Sequence, residues 1–574
     1  MYAVEGPESR RSLSRSRSPI PRIKQLFSLR GPSVTRPPIE ASGSTIPIEI
    51  ITNVGRHTTS LRDVLSISLT CRRARASLLP RLYASVDLKT NKHCKAALES
   101  FSRCPELTQH IRSLTVGPNN VAWTSTSDYL NELTVVSLIV IMASRMPLLR
   151  SFYWDGLEMP DDKLWLALRQ FCPLLKSIGT SIGCLPIRGS DSLFDFRGLV
   201  KFSLTVKSDS LEWLTDGRPS VEKLPRKCWQ MLLEHCPGLK ELTIGGSAPS
   251  PRLFDTRHVT AGRWPRLRKL ILGDVRLQPS ADADEKRQEQ ALRNFLLAHP
   301  YLEEVAFLHP GGIGFPSSLT LPRSALPKMY SFSGPFRYIK SLPHLSHIQQ
   351  LSITTLHHCL SAFPPTYAIL RVLPSLTSLT LWIDLSFANR NTIHDDGNIF
   401  RTLLECCPQL LSFEVFCFTR PTFHVKEFSA ALRRSPHLRS FSLTKIHKTS
   451  DEDMSHTAAR IAHDNPNIQH FTLRYTPESW LTHSAGRVKQ FGHYEILADA
   501  DGLPTALLAY EWGLKSFGQT YNRNYTHTLK SPKMRRGSTS SSSRMSWSSS
   551  ERARSPRPLS VLSFNSFSQS VHTK

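Results

Sequence analysis

One frame recurs along most of this chain and constrains its fold more than any other feature. It is a proline, an apolar residue two positions later, then apolar residues at a two-residue spacing. It reads CPGLKELTI (236–244), WPRLRKLIL (264–272), HPYLEEVAF (299–307), LPSLTSLTL (373–381), CPQLLSFEV (407–415), SPHLRSFSL (435–443) and NPNIQHFTL (465–473). MPLLRSFYW (146–154) and CPLLKSIGT (172–180) share it. Looser copies are CPELTQHIRSLTV (104–116), FRGLVKFSL (196–204) and LPHLSHIQQLSI (342–353), and ALPKMYSFS (325–333) is marginal. Prolines 237, 265 and 300 are spaced by 28 and 35 residues, and prolines 374, 408, 436 and 466 by 34, 28 and 30. Such periods are the signature of a solenoid, in which each unit buries its apolar face only by stacking on its neighbours.

Each unit has a physical reading. The alternating tail predicts a short strand with one face buried. The residues before the proline predict a helix, as in GNIFRTLLECCP (397–408), where Ile399, Leu403, Leu404 and Cys407 fall at helical spacing. The proline cannot continue that helix and stops it at the same place in every unit. About twelve such units predict an α/β solenoid with a parallel sheet on the concave side and helices on the convex side. At 4.7–4.9 Å per strand the sheet would run about 55–60 Å. The pattern resembles leucine-rich repeats of the irregular long form, over roughly 100–475. An ordinary parallel α/β domain with Leu-rich strands is the alternative, and the serial copies of one frame weigh against it.

Residues 46–88 read IPIEIITNVGRHTTSLRDVLSISLTCRRARASLLPRLYASVDL. Pro47 suits the first position of a helix, where a missing N–H costs nothing, and Ile50, Ile51 and Val54 form one face of it. Ser60-x-x-Asp63 opens a second helix in the manner of a capping box, with Leu61, Val64, Leu65 and Leu69 following. A third runs from about Arg72 to Leu79, where Pro80 limits it. Three helices this short cannot bury their apolar faces alone, so the unit must pack on a neighbour, a partner or both. The segment resembles an F-box. The family's L-P-x-E opening appears as Ile46-Pro47-Ile48-Glu49, its D-L…V-C-R core as Asp63-Val64…Leu69-Thr70-Cys71-Arg72, and its closing apolar-aromatic stretch as Leu78-Leu79-Pro80-Arg81-Leu82-Tyr83. It departs from the family at Gly55, inside the first helix, at His57 where Leu is usual, and at Ala74 where an aromatic often stands.

An F-box followed by leucine-rich repeats implies a substrate receptor of a cullin–RING (SCF-type) ubiquitin ligase, a non-catalytic subunit without cofactor, in the cytoplasm or nucleus. By that resemblance the F-box docks on the Skp-type adaptor through Pro47, Ile50, Ile51, Val54, Leu61, Val64, Leu65, Leu69 and Cys71, and the solenoid holds a protein substrate. The competing assignment for those residues is the unit's own core. Tyr83, Val86 and Leu88 are expected to join the F-box to the first repeats. On the concave strand face, aromatics and Arg are the usual interface anchors, which singles out Tyr153, Trp382, Phe416 and Arg474 for substrate binding. The same side chains could instead pack under long loops. Residues 89–475 are thus assigned to the solenoid and 476–520 to a C-terminal cap, with strand-like Tyr494–Leu497, a turn at Asp501-Gly502 and apolar Ala506–Tyr510. Many fungal F-box proteins with repeats have a similar tail.

The net charge of +26 suggests a nucleic-acid partner until it is located. Residues 1–45 carry eight basic and three acidic side chains, and residues 521–574 ten and one. More than half of the excess therefore sits in two Ser/Arg-rich ends expected to be disordered, with candidate phosphorylation sites at Ser18-Pro19 and Ser555-Pro556. The remainder is expected to be spread over the folded part, and the strand track has mixed charge, so no specific nucleic-acid partner is expected. Two alternatives stay open: weak binding of nucleic acid or acidic surfaces through the basic ends, and a repeat scaffold that has lost ligase assembly. The longest apolar stretch, Leu133–Met142, is too short to span a membrane, and the start lacks a secretory h-region. No C-x-x-C or H-E-x-x-H occurs, and His357-His358-Cys359 and Cys406-Cys407 are poorly spaced to share a metal. Cys104, Cys172, Cys236 and Cys407 precede repeat prolines, as small buried residues in a periodic slot would. Gly312-x-Gly314-x-x-Ser317 lacks the third glycine of a dinucleotide loop.

Overall fold

A computed structural model describes residues 46–529, except 120–128, 184, 186, 190, 208–223, 247–253, 274, 277–281, 309–318, 359–362, 385–397, 418–424, 447–451, 477–489, 500–502 and 515–519. The two Ser/Arg-rich ends up to 45 and from 530, their Ser-Pro sites and the Gly312 loop lie outside the described residues.

The repeats build one 17-stranded sheet. Its strands are β1 Ser85–Leu88, β2 Ser113–Val116, β3 Ser151–Trp154, β4 Ser177–Ile182, β5 Lys201–Val206, β6 Glu241–Ile244, β7 Lys269–Gly273, β8 Glu304–Leu308 and β9 Ser331–Gly334. They continue as β10 Gln350–His358, β11 Ser378–Asp384, β12 Ser412–Cys417, β13 Ser440–Ile446, β14 His470–Thr476, β15 Gln490–Ala498, β16 Pro504–Leu514 and β17 Thr520–Thr528. Each strand from β1 to β14 pairs in parallel with the next. Sequence order is therefore spatial order, the hallmark of a solenoid. The marginal copy at 325–333 supplies a full rung, β9.

The prolines act as expected. Helices Asn91–Arg103, Asp162–Phe171, Asn398–Glu405 and Met454–Asp464 each end one to three residues before a repeat proline. The residue before the proline turns out of helical geometry, with φ/ψ of −123/71° at Cys104, −115/71° at Cys172 and −132/71° at Asn465. Cys172, Cys236 and Cys407 are buried there, and Cys172 Sγ lies 3.7 Å from Ala143 O of the preceding unit. The strands alternate, β3 and β6 burying every second residue against the helices. The inward aromatics stack rung on rung, Phe441 on Phe471 at 5.0 Å and Phe471 on Tyr494 at 4.8 Å. This is the α/β leucine-rich-repeat solenoid that the frame predicts.

Ahead of it stand α1 Ile48–His57, α2 Leu61–Ser68 and α3 Arg72–Leu82. Ser60 caps α2 by accepting from Asp63 N–H at 3.3 Å. Pro80 does not end α3 but sits in its last turn, which continues to Leu82. Arg81 ties α3 to the end of α1, donating to the Arg56 carbonyl at 2.8 Å and to the Thr58 carbonyl. Tyr83 packs edge-on against Phe101 at 6.0 Å, and Val86 and Leu88 are buried on β1, so this unit is fused to the first repeat as expected. β1 belongs to the solenoid's sheet although it precedes residue 89.

At the other end, the cap is an antiparallel meander of β15, β16 and β17 added to β14. Its third strand corrects the expected boundary at 520, because Thr520–Thr528 pairs along its length with β16. The Asn, Arg, Thr and Tyr residues of that segment lack the apolar run that marks a buried strand. Its partner strand supplies the order.

Candidate protein-docking surfaces

Two surfaces carry the residues that the sequence singles out. The first is the outer side of α1–α3. Ile46, Ile50 and Val54 follow one another at i, i+4 and i+8 and are 60%, 52% and 48% exposed, and Leu69, just past α2, is 72% exposed. Pro47 and Cys71 are also exposed, and Ile51, Leu61 and Leu65 are half-buried. Val64 is a correction: it is fully buried, with Ala74 and Leu78, and belongs to the unit's own core. Position 64 lies one turn into α2, where periodicity alone could not distinguish a side facing the unit's own core from a partner-facing side.

The departures from the F-box pattern acquire local reasons. Gly55 is buried, and a β-carbon there would overlap the Leu78 side chain, so glycine lets α1 approach α3 closely. Ala74 is buried where a larger residue would need room, and its N–H points at Cys71 Sγ, 3.4 Å away. That contact lowers the Cys71 thiol pKa from its ordinary value. Burial pushes the thiols of Cys94, Cys172, Cys228 and Cys407 up to about 12.

The second surface is the outward face of the strands. All four expected anchors lie on it, half-buried, and each has a partner within the chain. Tyr153 lies flat across Gly179 of the next strand, where a β-carbon would collide with its ring, and its hydroxyl meets Thr205 Oγ1 at 3.1 Å. Trp382 and Phe416 sit opposite each other on β11 and β12, ring centres 5.0 Å apart. Arg474 reaches across β13 to Glu414 at 3.4 Å, donates to Ser442 Oγ at 3.2 Å and lies over the Phe491 ring. The sheet thus brings together Trp382 with Phe416 and places Arg474 two strands on, while Tyr153 stands nine strands away toward the other end.

Charge on this face is paired in its first half. Asp155 meets Lys207 at 2.7 Å, Lys201 pairs with Glu241, and Lys269 meets Glu304 at 2.7 Å. From β9 to β13 the face is instead a groove of 230 Å³ floored by hydroxyls, among them Ser333, Ser352, Thr380 and Ser442. None of these hydroxyls is among the large anchors that the sequence singles out. The signal was present, since Ser opens β9, β11, β12 and β13. Among the described residues no His, Cys, Asp and Glu cluster could hold a metal ion, and no helix is long and apolar enough to cross a membrane.

No protein-family model and no curated protein sequence matches the chain. Among solved structures, the chain matches the Rad7–Elc1 complex of yeast at 13% identity and a TM-score of 0.36, covering 71% of this chain and 91% of that one. The leucine-rich-repeat-containing protein LegL7 from Legionella pneumophila follows at 12% identity and a TM-score of 0.26, covering 63% and 91%. A TLR13–ssRNA13 complex matches at 12% identity and a TM-score of 0.25, and this chain spans 38% of that one.

Proposed function

We propose that this protein is a substrate receptor of a cullin–RING ubiquitin ligase. The three-helix unit, read as an F-box, docks on a Skp-type adaptor, and the strand face holds a protein to be modified. No covalent step occurs on this chain, and its place of action is the cytoplasm or nucleus. The observation that carries the reading is the apolar row Ile46, Ile50 and Val54 with Leu69, left in solvent on a unit whose other side is already anchored to the solenoid. Exposed apolar residues grouped on one small unit mark a binding surface. For the second surface, the groove floored by hydroxyls offers hydrogen-bonding groups, and the Trp382–Phe416 pair farther along the same strands offers apolar area, which suits an extended peptide.

Co-purification with a Skp-type adaptor tests the reading. The wild-type chain should retain the adaptor, and Ile50→Asp with Leu69→Asp should release it while leaving the melting temperature unchanged, because both positions are solvent-exposed. Failure of the wild type to retain the adaptor, or equal retention by the double variant, sinks the proposal.

A further inference from the structure

The position just before each strand carries a pattern that the strand face does not. Arg112, Arg150, Lys176, Val200, Lys240 and Arg268 occupy it in successive units from β2 to β7. Backbone hydrogen bonds join them into one ladder. Arg150 N–H donates to Arg112 O at 2.7 Å, Lys176 to Arg150 at 2.9 Å, Val200 to Lys176 at 2.7 Å, Lys240 to Val200 at 2.7 Å and Arg268 to Lys240 at 2.8 Å. In the units that follow, the same position holds Glu303, Tyr330, Gln349, Thr377, Leu411, Arg439 and Gln469. The basic stretch covers five strand spacings, about 24 Å. Five of the six positions from β2 to β7 are basic, against one of the seven that follow.

Four of the five basic residues along this edge of the sheet have no acidic partner among the described residues. Arg112, Arg150 and Lys176 are exposed and Lys240 half-buried, and among the described residues no carboxylate pairs with any of them, whereas Arg268 meets Glu303 at 3.5 Å. Val200 interrupts the row, and beside Lys176 lies an open cavity of 620 Å³, lined by Arg169, Lys176, Arg197 and His235 around Asp195. Asp195 is already held by Arg169 and Lys227, each at 2.8 Å, which leaves Lys176 and Arg197 facing the cavity without a carboxylate. Apolar side chains alternate with the charges, since Leu148 and Leu174, two residues before Arg150 and Lys176, are 39% and 41% exposed.

We propose that the edge from Arg112 to Arg268 docks an acidic polypeptide segment that also carries apolar residues, with one carboxylate cluster seated in the cavity beside Lys176 and Arg197. The leucines decide between polyanions, because a phosphodiester backbone gains nothing from them. An acidic segment running along the edge satisfies both the charges and the leucines. This surface is separate from the adaptor face and from the strand face, and the proposal stands whether or not the adaptor binds.

Fluorescence anisotropy on the full chain at physiological ionic strength tests it, with a fluorescein-labelled peptide of repeated Glu-Glu-Leu as probe and labelled oligothymidylate of equal charge as comparison. The peptide should bind, and Arg150→Glu/Lys176→Glu/Lys240→Glu should weaken it by about tenfold or more. The milder Arg150→Gln/Lys176→Gln/Lys240→Gln should weaken it less, and Gln349→Glu/Leu411→Glu/Arg439→Glu, on the far half of the same edge, should leave it unchanged. The basic chain ends are common to every variant, so the differences belong to the edge. Absence of peptide binding, equal weakening by the far-half variant, or oligothymidylate binding that depends on the three basic residues more than peptide binding does overturns the proposal.

Discussion

Tyr494 donates its hydroxyl to Glu511 Oε1 across 2.8 Å, and neither side chain reaches solvent. Tyr525 donates to the same oxygen at 2.7 Å from β17. One buried carboxylate thus ties the three cap strands together at a point where the solenoid's last apolar edge would otherwise meet water. Removing a donor leaves the carboxylate short of a partner it cannot replace with water, which costs about 1–3 kcal/mol. Tyr494→Phe should lower the unfolding free energy by that amount and make the cap the first site of limited proteolysis. Tyr525→Phe, on the outermost strand, should cost less. Burial, with Glu511 close by, holds both phenols well above the ordinary tyrosine range. The unfolded chain therefore loses these protons first as pH rises through about 10, and the stability they contribute is lost above that pH. Tyrosinate absorbance should show these two residues titrating only as the cap unfolds.

Gly55 is expected to resist enlargement. Gly55→Val would force its side chain into buried Leu78, an overpacking that costs about 1–3 kcal/mol. Combining it with Leu78→Ala opens space at the same contact, so the double variant should be more stable than the sum of the two single changes implies. Additive effects in a thermal-denaturation cycle would show that the two residues do not meet.

Cys71 should be the first of the described cysteines to react. Among the nine described cysteines it is the exposed one, and the Ala74 N–H at its sulfur favours the thiolate. Mass spectrometry after brief iodoacetamide treatment near neutral pH should find label at Cys71, and none at Cys94, Cys172, Cys228 or Cys407 until the chain is unfolded. Bound adaptor should slow labelling of Cys71, which gives an independent reading of the docking face.

His493 should make the cap acid-sensitive. Burial, with His470 and Arg474 facing it, lowers its pKa to about 4, and burial lowers that of His470. A histidine that stays neutral when folded but binds a proton when unfolded favours the unfolded chain as pH falls from about 6.5 toward 4. The melting temperature should drop over that window, and His493→Gln should make the drop smaller. An identical pH profile in the variant would remove His493 from the account.

The solenoid was legible because its signals are local and repeated. A proline after each helix and an alternating tail act within one unit, and their recurrence leaves stacking as the way to bury the apolar face. The three-helix unit was legible for the same reason, from Pro47, the Ser60 cap and helical spacing. What one side chain meets two strands or one helix away was not legible. Tyr153, Trp382, Phe416 and Arg474 fall on the expected face, yet their half-burial comes from Thr205, from each other and from Glu414, residues distant in sequence.

The sequence by itself therefore determined the repeat, its helix stops and the face each strand residue occupies, since these follow from backbone sterics and period. Only the tertiary structure decided that Val64 is core, that Gly55 makes room for Leu78 and that 520–528 is a paired strand. It also decided that the basic residues before β2, β3, β4, β6 and β7 line up along one edge, with Val200 between them. Each of these depends on which units lie side by side, and stacking sets that through contacts no local pattern encodes.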